Sequence, residues 1–203
     1  MTERALELNE LQRDALREVG NIGAGHSATA LSLLLDTKVD LTTPHVEIIK
    51  FRELAGKLKY GDSPVAALHM YVQGPAPGSI IVLFDRTQAQ DFVDSFIKRL
   101  IGNIHMFESI KDSTLMELGN IITGSYLTAI IELTSVPLIL SVPTLAYGTV
   151  DSALKALMTA SPEQDVFLIE NSFLDQDKEI SGQFLLIPET GSIAPLLAVF
   201  GVE

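Results

Sequence analysis

The chain has 203 residues, 47% of them hydrophobic, with no cysteine and a formal net charge of -12. That length suits one large domain or two small intertwined halves, and the lack of cysteine excludes disulfides and thiolate metal sites. The 14 Lys and Arg residues are scattered rather than gathered on one basic face, which argues against nucleic-acid binding.

The first segment, Met1 to Leu11, mixes charges of both signs and lacks the apolar core of a signal peptide. Asn9, with Gln12 three residues on, predicts the cap of a helix running to about Leu35. An extended segment, Lys38 to Phe51, contains Pro44. Two strands follow, Val65 to Gln73 and Ser79 to Phe84, around the turn Gly74-Pro75-Ala76-Pro77-Gly78. An amphipathic helix from about Thr87 to Leu100 carries Phe92, Phe96, Ile97 and Leu100 on one face.

The same order then recurs. A helix is expected from about Lys111 to Thr134, an extended segment around Pro143, strands at Val166–Asn171 and Gly182–Ile187, and a short helix from Ser192 to Phe200. A helical stretch from Asp151 to Thr159 reads as extra relative to the first half. The apolar stretches are interrupted by Glu132, Pro137 and Pro143, so none reaches the roughly 20 residues that span a bilayer. A soluble, cytoplasmic protein with no membrane contact is expected.

Residues 14–44 and 113–143 align without gaps at a constant offset of 99. Leu16/Leu115, Glu18/Glu117, Gly20/Gly119, Asn21/Asn120, Ile22/Ile121, Gly25/Gly124, Thr29/Thr128, Ala30/Ala129, Leu34/Leu133, Leu41/Leu140 and Pro44/Pro143 are identical, 11 of 31 positions. The expected fold is therefore α/β of mixed α+β type, a tandem duplication of two α-β-β-β-α units related by a pseudo-twofold. Neither unit could cover both faces of its own three strands, so one six-stranded sheet packed by two long helices is expected. The whole chain, 1–203, reads as one domain made of repeats at about 9–102 and 108–203.

On the first helix Asp14, Glu18, Asn21 and Gly25 are spaced i, i+4, i+7 and i+11, which at about 100° per residue places them on one stripe. Leu16, Val19, Gly23, Ala30 and Leu34 fall roughly opposite, on the side expected to be buried. Ser113, Glu117, Asn120 and Gly124 form the equivalent stripe on the second long helix. One Glu-x-x-Asn is commonplace, and Gly20-Asn21 alone would pass for a helix C-terminus. Two copies at the same spacing, each with a proline 23 positions after the asparagine, are a stronger signal.

Other candidates carry less. The run Gly20 to Gly25 lies inside a helical pattern and follows no strand, so it is not a phosphate cradle; its small residues fit the close approach of another backbone. His26, His45, His69 and His105 are dispersed, so no metal site is expected, and no Ser/His/Asp constellation stands out.

The pattern Asp14-x3-Glu18-x2-Asn21-x22-Pro44, repeated as Ser113-x3-Glu117-x2-Asn120-x22-Pro143, resembles the signature of the CheC/CheX/FliY phosphatases of bacterial and archaeal chemotaxis. Two intact copies match the two-site branch of that family; FliY-like members add a C-terminal flagellar switch domain, for which no sequence follows Glu203. The resemblance implies hydrolysis of the aspartyl phosphate on the response regulator CheY. Asn21 and Asn120 would orient the attacking water, and Glu18 and Glu117 would engage a lysine of the regulator. Asp14 and Ser113 would assist at the contact edge, while Pro44 and Pro143 would shape the neighbouring strand. No cofactor of the phosphatase's own is implied, since Mg2+ would sit on the regulator. The resemblance also offers a non-enzymatic reading, a protein that binds and regulates the receptor deamidase CheD, with the stretch beginning at Asp151 as the candidate surface. A structural part of the flagellar switch is a third.

Overall fold

A computed structural model describes residues 9–36, 38–41, 45–101, 108–175, 178–189 and 191–192. The expected terminal helix from Ser192 lies almost wholly outside them, as does Pro44. Helix α1, Glu10–Leu35, starts at the anticipated cap. The Gln12 N–H donates to Asn9 Oδ1 at 2.9 Å, and the Asn9 N–H donates to Gln12 Oε1 at 3.0 Å. These reciprocal bonds satisfy two amides that the first helical turn would otherwise leave open. The helix ends at Asp36 in the left-handed region, φ 49°. Helix α4, Glu108–Thr134, ends the same way at Ser135, φ 56°, 99 residues later.

Among the described residues eight strands form one sheet: β1 (Val39–Leu41), β2 (His45–Lys50), β3 (Val65–Gln73), β4 (Gly78–Asp85), β5 (Ile139–Leu140), β6 (Thr144–Gly148), β7 (Asp165–Asp175) and β8 (Lys178–Pro188). The count of six expected from sequence is lower than this because each extended segment contributes two of the strands. Along β3, Leu140 sits opposite Val72 and Thr144 opposite His69, four steps against three. Leu41 opposite Phe173 and His45 opposite Glu170 give the same mismatch on β7. On β3 the surplus residue is the geometry of a β-bulge, and a proline, having no N–H for the ladder, belongs at such a break. Pro143 lies in the second of these interruptions.

The halves exchange edges. β1 and β2 pair with β7 of the second half, whereas β5 and β6 pair with β3 of the first, and β4 and β8 meet in the middle with Ile81 opposite Leu185. Every ladder is antiparallel.

Both faces of this sheet are buried, so its central strands read as apolar runs rather than alternating ones. Ala66, Leu68, Met70, Ile80, Val82, Phe84, Phe167 and Phe184 face α1, α4 and helix α3 (Arg86–Ile101). Val65, Ala67, Ile81, Leu83, Val166, Leu168 and Leu185 face the other way, towards Leu54, Leu58, Val150 and Leu154. Those last four come from a short helical segment and the residue that caps it, a 3-10 turn Phe51–Glu53 running into α2 (Leu54–Lys57) and Leu58, and from α5 (Val150–Leu157). The stretch beginning at Asp151 is therefore not extra. Phe51 to Lys57 sits at its offset of 99, and each covers the same face of the sheet. Its counterpart escaped notice because four α-helical residues are too few to show a period.

The helices α1 and α4 lie side by side on the first face and run antiparallel. Gly23 meets Tyr126, while the Ser27 hydroxyl, which donates to Gly23 O at 2.8 Å, also approaches Ile122 O at 3.3 Å. A Cβ on Gly23 would stand 2.4 Å from Tyr126 Cδ1, and one on Gly119 would stand 2.8 Å from Leu68 Cδ1. These two glycines are needed where helix meets helix and helix meets sheet. No described helix is long and apolar enough to cross a membrane.

Candidate functional site

With Leu16 and Val19 buried at 2% and 3% exposure, the opposite stripe of α1 is left to solvent, and Asp14, Glu18, Asn21 and Gly25 are all exposed on it. Asp14 pairs locally with Arg17 at 2.9 Å. On α4, Ser113 and Glu117 are exposed while Asn120 and Gly124 are half-buried. The anticipated pairs are thus placed on outward stripes of adjacent helices. Because the helices are antiparallel and cross near Gly23 and Tyr126, the two pairs lie on opposite sides of the crossing.

A carboxylate and an amide one turn apart present complementary chemistry. The amide can donate and accept hydrogen bonds without adding charge, and the carboxylate can hold a cationic partner. Neither side chain is tied up by an ion pair within the described residues.

The surroundings of the two pairs differ. At the start of α4, Lys111 reaches Asp94 of α3 at 2.7 Å, and the Tyr147 hydroxyl on β6 donates to Asp112 at 2.5 Å. The Arg86 guanidinium lies 4.7 Å from the centre of the Tyr147 ring. The corresponding positions of the first half are Arg13 and Ile48 in place of Asp112 and Tyr147, so that link has no equivalent there. Sequence reasoning missed it, because the two partners stand 35 positions apart with no local pattern to join them.

The remaining candidates are placed elsewhere. Asp151 is exposed on α5, on the opposite face of the sheet, and pairs with Lys155 at 2.7 Å. Beside it a cavity of about 390 Å³ runs between α5 and the Phe51–Lys57 segment, with Leu54, Val150, Leu154 and Met158 among its walls and Arg52 and Lys155 at its polar part. On that same face His69 shares a 3.0 Å hydrogen bond with Ser79, and partial burial lowers its pKa; burial raises that of Tyr60, whose hydroxyl donates to Leu83 O. Among the described residues no three His, Asp or Glu side chains are placed to hold a metal ion.

Two exposed Glu–Asn helices over a shared antiparallel sheet define a recognisable class. The CheC-like family model matches residues 11–48 and 110–147, the two stretches that carry the pairs. The chain belongs to this family. It is 35% identical, over 97% of its own length and 97% of the relative's, to the CheY-P phosphatase CheC of Bacillus subtilis. The flagellar motor switch phosphatase FliY of the same organism is 32% identical over 130 residues, 61% of this chain and 32% of that protein. Among solved structures, Thermotoga maritima FliY superposes with a TM-score of 0.77 at 21% identity, covering 97% of this chain and 98% of that one. The FliM middle domain of H. pylori does so at 0.71 and 12%, covering 95% and 99%. At those identities the structural likeness shows the fold, and a fold shared this widely does not by itself assign a reaction.

Proposed function

We propose that the protein is a phosphatase that hydrolyses the aspartyl phosphate of phosphorylated CheY. The observation that carries this reading is the Glu–Asn pair present on both α1 and α4, with both glutamates and Asn21 exposed and Asn120 half-buried, in a chain related over its full length to a CheY-P phosphatase. An acyl phosphate is already reactive, so the enzyme need only hold water in line with the phosphorus. Asn21 and Asn120 orient that water. Glu18 and Glu117 engage a lysine of the regulator, because a carboxylate set beside the phosphoryl group would repel it. A hundredfold acceleration requires about 2.7 kcal/mol, within reach of one well-placed amide. Asp14 and Ser113 assist at the edge of the contact, and Pro44 and Pro143 shape the neighbouring strands. Mg2+ arrives on the regulator, and the phosphatase brings no cofactor of its own. The chain works in the cytoplasm as a single domain of two repeats, 9–102 and 108–203.

The test is the decay rate of phosphorylated CheY with the unmutated protein, Asn21→Ala, Asn120→Ala and the double variant. Loss of acceleration only in the double variant means that both helices work. Loss in one single variant means that the other pair is idle. No acceleration by the unmutated protein removes the enzymatic reading.

A second reading is supported by the cavity beside α5. The exposed Asp151 and the apolar walls behind it suit a protein partner, which we assign to CheD. Charge reversal by Asp151→Lys should weaken CheD binding, and an unchanged affinity would exclude this surface.

A further inference from the structure

Glycine is the least favourable residue after proline in a helix interior, so a helical glycine calls for a cause. Gly23 and Gly119 have one inside the protein, against Tyr126 and Leu68. Gly25 and Gly124 do not: beyond the neighbouring backbone of their own helix, no described atom lies within 4 Å of the Cβ either would carry. Alanine would fit at both positions and would favour each helix. Both repeats nonetheless hold glycine there, one turn beyond Asn21 and Asn120 on the same outward stripe.

The next turn is also the same in both. Thr29 Oγ donates to Gly25 O at 2.9 Å, and Thr128 Oγ donates to Gly124 O at 2.8 Å. Each hydroxyl is thus turned back on its own helix, and both threonines are exposed. The strip beyond each asparagine is low, with its hydroxyl donor already used, which suits close contact by shape rather than by polar pairing.

We propose that Gly25 and Gly124 are specificity-determining contact residues for the phosphorylated regulator, each forming a floor on which a backbone segment beside the phosphoaspartate rests. The inference depends on the phosphatase reading above. Its reason is geometric: to bring the phosphoryl group within one water of the Asn amide, the partner must descend almost onto the helix a turn away, about 6 Å along the axis. A side chain at position 25 or 124 would hold it off.

The experiment places Gly25→Ala and Gly25→Gln in an Asn120→Ala background, and Gly124→Ala and Gly124→Gln in an Asn21→Ala background. For each, the steady-state constants for CheY-P hydrolysis, the affinity for CheY carrying beryllium fluoride on its aspartate, and the melting temperature are measured. The expected result is an equal or higher melting temperature together with weaker binding, graded Ala before Gln, and a KM raised about tenfold or more by Gln, where tenfold corresponds to about 1.4 kcal/mol. Full affinity and unchanged KM in the Gln variants overturn the proposal while leaving the phosphatase reading intact. A lowered melting temperature overturns the premise of open space. If the unmutated protein does not accelerate phosphate loss, the reading fails and the proposal with it, so the two failures are distinct.

Discussion

Helices α1 and α4 carry the same pair of candidate side chains, yet they are held differently. The start of α1 carries local bonds, the Asn9–Gln12 capping box and, one turn on, the Arg17–Asp14 pair. The first turn of α4 is fastened to its neighbours, to α3 through Lys111 and to β6 through Asp112 and Tyr147. Asn21 is exposed and Asn120 half-covered. Equivalent sequence positions thus end in unequal surroundings, because the segments packed against each helix differ in sequence even where the helices repeat the same residues.

The crossing of the two helices offers the sharpest way to test that difference. Gly23→Ala should cost about 3 kcal/mol, since the new methyl meets a Tyr126 ring that is 1% exposed, stacked 4.4 Å from Phe184 and unable to withdraw. Denaturant unfolding checks this, and a loss under 1 kcal/mol would mean that the helices separate readily. Gly25→Ala, two residues on, should instead stabilise.

Tyr147→Phe removes the phenol that bonds to Asp112 but keeps the ring beneath Arg86. It should cost about 1 kcal/mol of stability. Measured in an Asn21→Ala background, it should also slow hydrolysis through the second pair, and in an Asn120→Ala background it should leave the first untouched. Equal effects in both backgrounds would show that the link does not belong to one site.

Thr123 occupies on α4 the place of Ala24 on α1. Its hydroxyl is fully buried with no partner among the described residues, so Thr123→Val should raise stability by up to about 1 kcal/mol. A destabilised variant would instead point to a water bound there.

The smallest effect concerns His69, on the face away from the helices. Burial lowers its pKa, so the unfolded chain takes up the proton first as pH falls. The stability at stake is present above the unfolded value of about 6.5 and is lost as pH drops through the lower folded value. His69→Gln should flatten that part of the stability profile and leave hydrolysis unchanged.

Much of the candidate site was legible from a single dimension. Glu18 with Asn21 and Glu117 with Asn120 share a stripe because an α-helix returns to the same face every three or four residues, and Leu16 and Val19 say which side is inward. The capping box was equally local. The strand count was not, because a bulge is a mismatch between a segment and its partner, and the partner of Leu140 is Val72 in the other half. The pairing of α5 with the Phe51–Lys57 segment was hidden by shortness.

The sequence by itself determined which residues repeat, which helical face they share and where the first long helix begins. Periodicity and capping act over a few residues, and their physics is local. Only the tertiary structure decided that β1 and β2 cross to β7 and β5 and β6 to β3, that Gly23 serves Tyr126 while Gly25 serves nothing within the fold, and that Tyr147 holds one helix and not the other. Those outcomes depend on long-range packing and hydrogen bonding between distant segments, which no spacing along the chain encodes.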